Sequence, residues 1–177
     1  MMSKMGFVRI VSIEAPSLTD NTADVQRLEK CLADELDTNT IRIPLPVVKK
    51  LPSNLRSWDF KAKTVLFKDR YSWILVDLLN PVSNQVVLGM AIDIGTTRVV
   101  ISLINLETGQ EIGQTSFDNP QAIIGPDILA RIHHSHQPGG LEELNQLIVG
   151  AVNKNIYSLC KKHGYQKEDI YLVTGAG

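Results

Sequence analysis

The hydrophobic and polar positions follow two regimes that meet near Asn80–Gln85. In the first, Phe7-Val8-Arg9-Ile10-Val11-Ser12-Ile13 alternates in the manner of a half-buried strand, and Pro16 ends it. Thr19, Asp20, Asn21 and Thr22 then offer side chains suited to capping a helix. Val25, Leu28, Leu32 and Leu36 recur at spacings of three and four, which places them on one face of that helix. Ile41-Arg42-Ile43-Pro44 predicts a short strand entering a proline-bounded turn, and Leu45–Leu55 a short helix broken at Pro52. Lys61–Phe67 and Tyr71–Leu78 predict a hairpin that turns at Lys68-Asp69-Arg70. Strand, helix, strand, helix and hairpin make a small α+β module over residues 1–82. Nothing in it has catalytic spacing, so we expect a docking or spacer unit.

From residue 83 the pattern changes. Val86–Ile94 is a nearly continuous apolar run, as for a strand buried on both faces. Gly95-Thr96-Thr97 makes a tight turn, Val99–Leu106 a return strand, Glu107-Thr108-Gly109 a second turn, and Gln110–Phe117 a third strand. Strands joined by turns this short form an antiparallel meander. Pro126–His136 reads as a helix. A longer one runs from Leu141 to about His163, with Leu144, Ile148, Ala151, Val152 and Leu159 on its inner stripe and Gly164 at a C-cap position. Ile170–Thr174 is a fourth strand, leading into a glycine turn at Gly175-Ala176-Gly177. The expected class is therefore α/β and α+β: the small module, then part of a larger α/β domain over residues 83–177.

Composition narrows the function classes. With 44% apolar and 21% charged residues among 177, the chain is globular and long enough to bury a core without staples. The 18 basic and 19 acidic residues nearly cancel, so no charge excess drives binding to nucleic acid or to a membrane surface. Val86–Ile94 carries Asp93 and is too short to span a bilayer. The N-terminal apolar run is interrupted by Glu14 and does not read as a secretory signal, so the expected location is cytoplasmic. Cys31 and Cys160 lie far apart, which excludes a disulfide framework and a four-cysteine cluster built by this chain alone.

The segment with the most chemistry is Ala91-Ile92-Asp93-Ile94-Gly95-Thr96-Thr97, set between two strands. Gly95 lets backbone approach phosphate oxygens, and successive N–H groups in such a turn form an anion-binding concavity. The hydroxyls of Thr96 and Thr97 add neutral donors, and Asp93 at the strand end suits Mg²⁺ held through water. The bland alternative is a plain hairpin turn with a surface aspartate. Other signals are weaker. His133 and His136 share a helix face without a carboxylate at ligand spacing, which fits a solvated helix end. Trp58 and Trp73 read as packing residues. Thr174-Gly175-Ala176-Gly177 does not follow the βαβ order that a dinucleotide fingerprint needs.

The turn and its topology resemble the actin-like (ribonuclease-H-like) ATPase superfamily. A narrower resemblance covers nearly the whole chain. Pro16–Asp24 followed by Arg27-Leu28 is similar to the opening of the middle domain in the reductive activators of corrinoid proteins, and Gly89–Thr97 resembles their phosphate motif. Asn119-Pro120-Gln121, Gly125, Asp127 and Arg131-Ile132 resemble the segment after their third strand. The resemblance implies a middle domain followed by the first half of an actin-like ATPase domain. It further implies Mg·ATP held by Asp93, Gly95, Thr96 and Thr97, with Asp93 contacting Mg²⁺ through water. ATP would drive an electron uphill to a cob(II)alamin protein, restoring cob(I)alamin, and a [2Fe–2S] ferredoxin domain not contained in this sequence would supply the electron. The corrinoid protein is the implied partner. This chain departs from the pattern at Arg98, where the family usually has a third Thr; the guanidinium either adds a phosphate contact or points along the return strand. A reading from another class keeps the half-fold as a binding module or homodimer without catalysis; a third makes the reaction small-molecule phosphoryl transfer. Because two cysteines cannot supply four thiolates, the purified chain is expected to show no visible iron–sulfur absorbance. A stoichiometric [2Fe–2S] spectrum from the monomer would overturn this.

Overall fold

The computed structural model describes residues 7–177, and the chain divides into two compact units between Val87 and Leu88. In the first unit the elements run β1 (Val8–Ser12), α1 (Asp24–Leu36), β2 (Ile41–Arg42), α2 (Leu45–Ser57), β3 (Lys61–Lys68) and β4 (Trp73–Leu79). The sheet order is β1-β3-β4-β2, antiparallel except for the short parallel pair β2–β4. Both helices lay their apolar stripes on the sheet. Leu28 and Leu32 of α1 and Val47, Leu51 and Leu55 of α2 are buried with Val11, Ala62, Leu66 and Leu75, and Trp58 and Trp73 pack at the rim of that core.

Two expectations are corrected here. Helix α2 is not broken at Pro52; it continues to Ser57. A proline inside a helix costs about 3 kcal/mol. Val47, Leu51 and Leu55 lie on both sides of it and are all buried, and each contributes about 1.5–3 kcal/mol. Packing wins over the lost hydrogen bond. The polar run Thr19–Thr22 does not cap α1 directly either, because the helix starts at Asp24 with Ala23 as N-cap. Asp20 organises a loop instead. Its Oδ1 accepts from Thr22 N (3.0 Å) and Thr22 Oγ1 (2.6 Å), and its Oδ2 meets Arg27 Nη2 at 2.6 Å. Arg27 is buried and also donates to Asp20 O and Thr22 O, tying the loop to α1.

The second unit contains β5 (Leu88–Ile94), β6 (Arg98–Asn105), β7 (Glu111–Asp118), α3 (Ile128–Ser135), α4 (Gly140–Lys162) and β8 (Ile170–Ala176). The sheet order is β7-β6-β5-β8, an antiparallel meander with β8 added parallel to β5. This is the partial actin-like arrangement. Met90, Ile101 and Leu103 are buried on one face, where α4 lies: Met90 lines a groove with Ile156 and Tyr157. On that same face the His163 ring lies over Gly113, so that a Cβ there would require the ring to shift. Helix α4 ends in a Schellman motif, with Gly164 N donating to Lys161 O and Tyr165 N to Cys160 O.

Two further differences follow from pairing. β5 is fully buried only at Leu88–Met90, and its end at Asp93-Ile94 is exposed. The apolar run therefore marks a strand that emerges at the edge of its domain. No turn occurs at Gly175, because Gly175 and Ala176 pair with Ile92 and Asp93 and prolong β8. Among the described residues, no helix is long and apolar enough to cross a membrane.

The Asp20 carboxyl is held at about 2, below its ordinary 3.8, chiefly by the Thr22 hydroxyl and amide and then by Arg27. A carboxyl whose folded value is depressed stabilises the fold above its unfolded value and loses that effect as pH falls through the folded one. The Asp20-dependent part of the first unit's stability is thus expected to be complete above about pH 4 and gone near pH 2. Thermal melts of wild type and Asp20→Asn across pH 2–6 should converge at the acid end; parallel curves would refute it.

Candidate functional site

Asp93 ends β5 with its side chain on the face opposite α4, since it pairs with Val100 and Ala176, out of phase with Met90 and Ile101. Ala91, Asp93, Val100, Ser102 and Thr174 line an open cleft of about 360 Å³ on this face. The chain then turns through Gly95-Thr96-Thr97 into β6. Gly95 N donates to Arg98 O at 3.0 Å, closing the hairpin. A Cβ on Gly95 would lie 2.6 Å from Arg98 O, so glycine is required by close backbone approach.

The carbonyls of this turn are all held from one side. Gly95 O accepts from Asn119 Nδ2 at 2.9 Å, Thr97 O from Asn119 N at 2.8 Å, and Thr96 O from Arg131 Nη2 at 2.7 Å. Asn119 is buried just after β7, and its Oδ1 accepts from Gln121 N. Arg131, buried on α3, also donates through Nε to Gly125 O (2.9 Å) and through Nη1 to Gln121 Oε1 (3.3 Å). Gln121 Nε2 reaches on to Leu144 O of α4. Among the described residues, the N–H groups and hydroxyls of Thr96 and Thr97 have no protein partner, and both residues are exposed. The turn therefore presents donors outward while its acceptors are occupied, a polarity suited to an anion.

The residues named from sequence come together here: Asp93, Gly95, Thr96 and Thr97 share one strand end and its turn. Arg98 extends across to Asp118, its directly opposite neighbour on β7, with Nη2 at 3.5 Å from Oδ1 and both side chains exposed. It stands on the same sheet face as Asp93. The histidines do not assemble. His134 pairs with Glu143 Oε2 at 2.9 Å, while His133 and His136 are exposed, and no group of metal-ligating side chains occurs among the described residues. Cys31 and Cys160 fall in different units, and burial raises the pKa of each thiol. Asn119, Gln121 and Arg131 form the network behind the turn, and pattern reading gave them no such part. Their sequence signal is a polar, proline-containing segment immediately after a strand, which does not reveal what it will touch.

An α+β unit is thus followed by a partial actin-like fold whose first hairpin turn has its carbonyls held from within and its Thr96 and Thr97 donors exposed. The family model described as the RACo linker region matches residues 7–81, and that described as the RACo middle region matches residues 88–177. The chain belongs to the RACo family. The solved structure of a "Reductive activator for corrinoid,iron-sulfur protein" superposes with a TM-score of 0.85 at 29% identity, over 96% of this chain and 28% of that one. The "Corrinoid activation enzyme RamQ" of Eubacterium limosum is 33% identical over 90 residues, which are 50% of this chain and 15% of that enzyme. The chain thus spans 28% of the one relative and 15% of the other.

Because backbone stands against Gly95, Gly95→Ala has no flexible side chain to displace. It is expected to destabilise the second unit by about 1–3 kcal/mol while leaving the first unchanged. Urea unfolding followed separately in the two units checks this; equal loss in both would contradict it.

Proposed function

We propose that this chain is the part of an ATP-dependent reductive activator that carries the linker unit and the first phosphate turn, serving to return cob(II)alamin proteins to the cob(I)alamin state. The observation that supports this reading most is the outward-facing donor set at Thr96 and Thr97, with the turn carbonyls already occupied. The residues fit Mg·ATP. The amides and hydroxyls of Thr96 and Thr97 would hold phosphate oxygens, Gly95 would admit them closely, and Asp93 would orient Mg²⁺ through its water shell. When bound, Mg·ATP supplies the driving force for an electron transfer that is otherwise uphill. The chain's own residues would bind and orient the phosphates, and the first unit would serve as a docking or spacer unit. The electron would come from a [2Fe–2S] domain outside these residues, and the partner would be a corrinoid protein, as the names of the relatives suggest. Arg98, resting on Asp118 in a weak exposed pair, is free to turn toward a phosphate at little cost.

A second reading, a binding or dimerising half-domain without catalysis, is favoured by β8. That strand pairs only with β5 among the described residues and carries no charged side chain along its other edge.

The two readings differ in affinity. A micromolar nucleotide site is worth about 8 kcal/mol. In an actin-like cleft two lobes share that contact. If about half is lost, the dissociation constant moves to about the millimolar range. Calorimetric titration of this chain with Mg·ATP should give such a value, weakened by Asp93→Ala, with negligible turnover because positioning of water, metal and γ-phosphate is incomplete. Micromolar affinity abolished by Asp93→Ala would instead mean that a complete site is rebuilt, as by dimerisation.

A further inference from the structure

Helix α3 is amphipathic in the wrong sense for an ordinary packing helix. Its one buried side chain is Arg131, whereas Ile128, Leu129 and Ile132 are exposed. The side chain this helix buries is the arginine, while His134 ties it to Glu143 of α4. Burying a guanidinium is costly unless its donors are satisfied and its charge is compensated. The donors are satisfied, by Gly125 O, Gln121 Oε1 and Thr96 O. The charge is not. All three acceptors are neutral, and among the described residues no carboxylate forms an ion pair with Arg131. Arg27, the other buried arginine, is neutralised by Asp20 at 2.6 Å. A formal positive charge is thus held 2.7 Å behind the backbone of the turn, where solvent screening is weak and, among the described residues, no carboxylate stands at ion-pair distance.

We propose that Arg131 is a positioning residue for a polyphosphate ligand at Gly95–Thr97. Its fork, with Asn119, pins the turn carbonyls inward so that the Thr96 and Thr97 amides stay outward. Its uncompensated charge makes the turn electropositive, and the ligand supplies the counter-charge. This rests on the phosphate-binding reading above and adds the group that prepares the site without touching the ligand. Through Gln121 and Leu144 O, the same network joins the turn to α4.

The test uses the full 177-residue chain, with inorganic tripolyphosphate and Mg·ATP as separate probes at up to about 10 mM, a range set by the weak site expected above. Arg131→Gln should weaken both ligands about tenfold or more, and Arg131→Lys, which keeps charge but not the fork, should recover a good part of the loss. Leu159→Ala, a core truncation distant in sequence from the turn and its clamp, should lower the unfolding midpoint yet bind within about twofold of wild type. In wild type, tripolyphosphate should shift the NMR signals of the Thr96 and Thr97 amides and of Arg131 Nε–H. That measurement decides the matter if Arg131→Gln does not fold. Equal binding by Arg131→Gln and Leu159→Ala, or ligand shifts that bypass these signals, would overturn the proposal. Tripolyphosphate binding that depends on Arg131, without Mg·ATP binding, would uphold it and remove the nucleotide reading. Binding of neither probe would remove both.

Discussion

The second unit depends on how one hairpin turn is held. A hairpin turn at the end of a sheet ordinarily has backbone donors and acceptors of similar exposure, and its conformation is soft. Here Asn119 and Arg131 take the carbonyls of Gly95, Thr96 and Thr97 from behind, so one polarity is buried and the other faces solvent. The elements after β7 are arranged around that requirement. The chain leaves β7 directly into Asn119, forms a short 3₁₀ turn at Pro120–Ile123, and enters α3 so that Arg131 reaches back to the turn. Helix α4 then returns along the buried face to β8.

The two buried arginines show the same chemistry used for different ends. Arg27 meets a carboxylate and loop carbonyls, which closes its electrostatics and fixes a loop of the first unit. Arg131 meets only neutral oxygens, which satisfies its hydrogen bonds without an ion pair among the described residues. Geometry alone makes both structural, and charge separates them. The same distinction explains why Arg98, exposed and loosely paired with Asp118, contributes little to holding the fold.

Much of the architecture was legible because the hydrophobic period carries it. The stripe Val25, Leu28, Leu32 and Leu36 marked α1, the apolar run Val86–Ile94 marked β5, and turn residues at Gly95, Asp69 and Gly164 fell where chain reversals or helix ends occur. Local rules failed where packing outweighed them. Pro52 sits inside α2 because buried leucines on both sides hold the helix together. Gly175 and Ala176 read as a turn but extend β8 because β5 offers a pairing edge.

The candidate site divides along the same line. Asp93, Gly95, Thr96 and Thr97 are neighbours in the chain, so sequence by itself placed them together and gave the turn its chemistry. Asn119 and Arg131 lie 24 and 35 residues from the carbonyls they hold. Nothing local marks an arginine on an eight-residue helix as buried, or says that its charge will go unpaired. Those facts arise only when the crossover from β7 to β8 brings α3 behind the turn. Short-range periodicity and turn chemistry are written in the sequence, whereas long-range hydrogen bonds and uncompensated charge exist only once the chain has closed on itself.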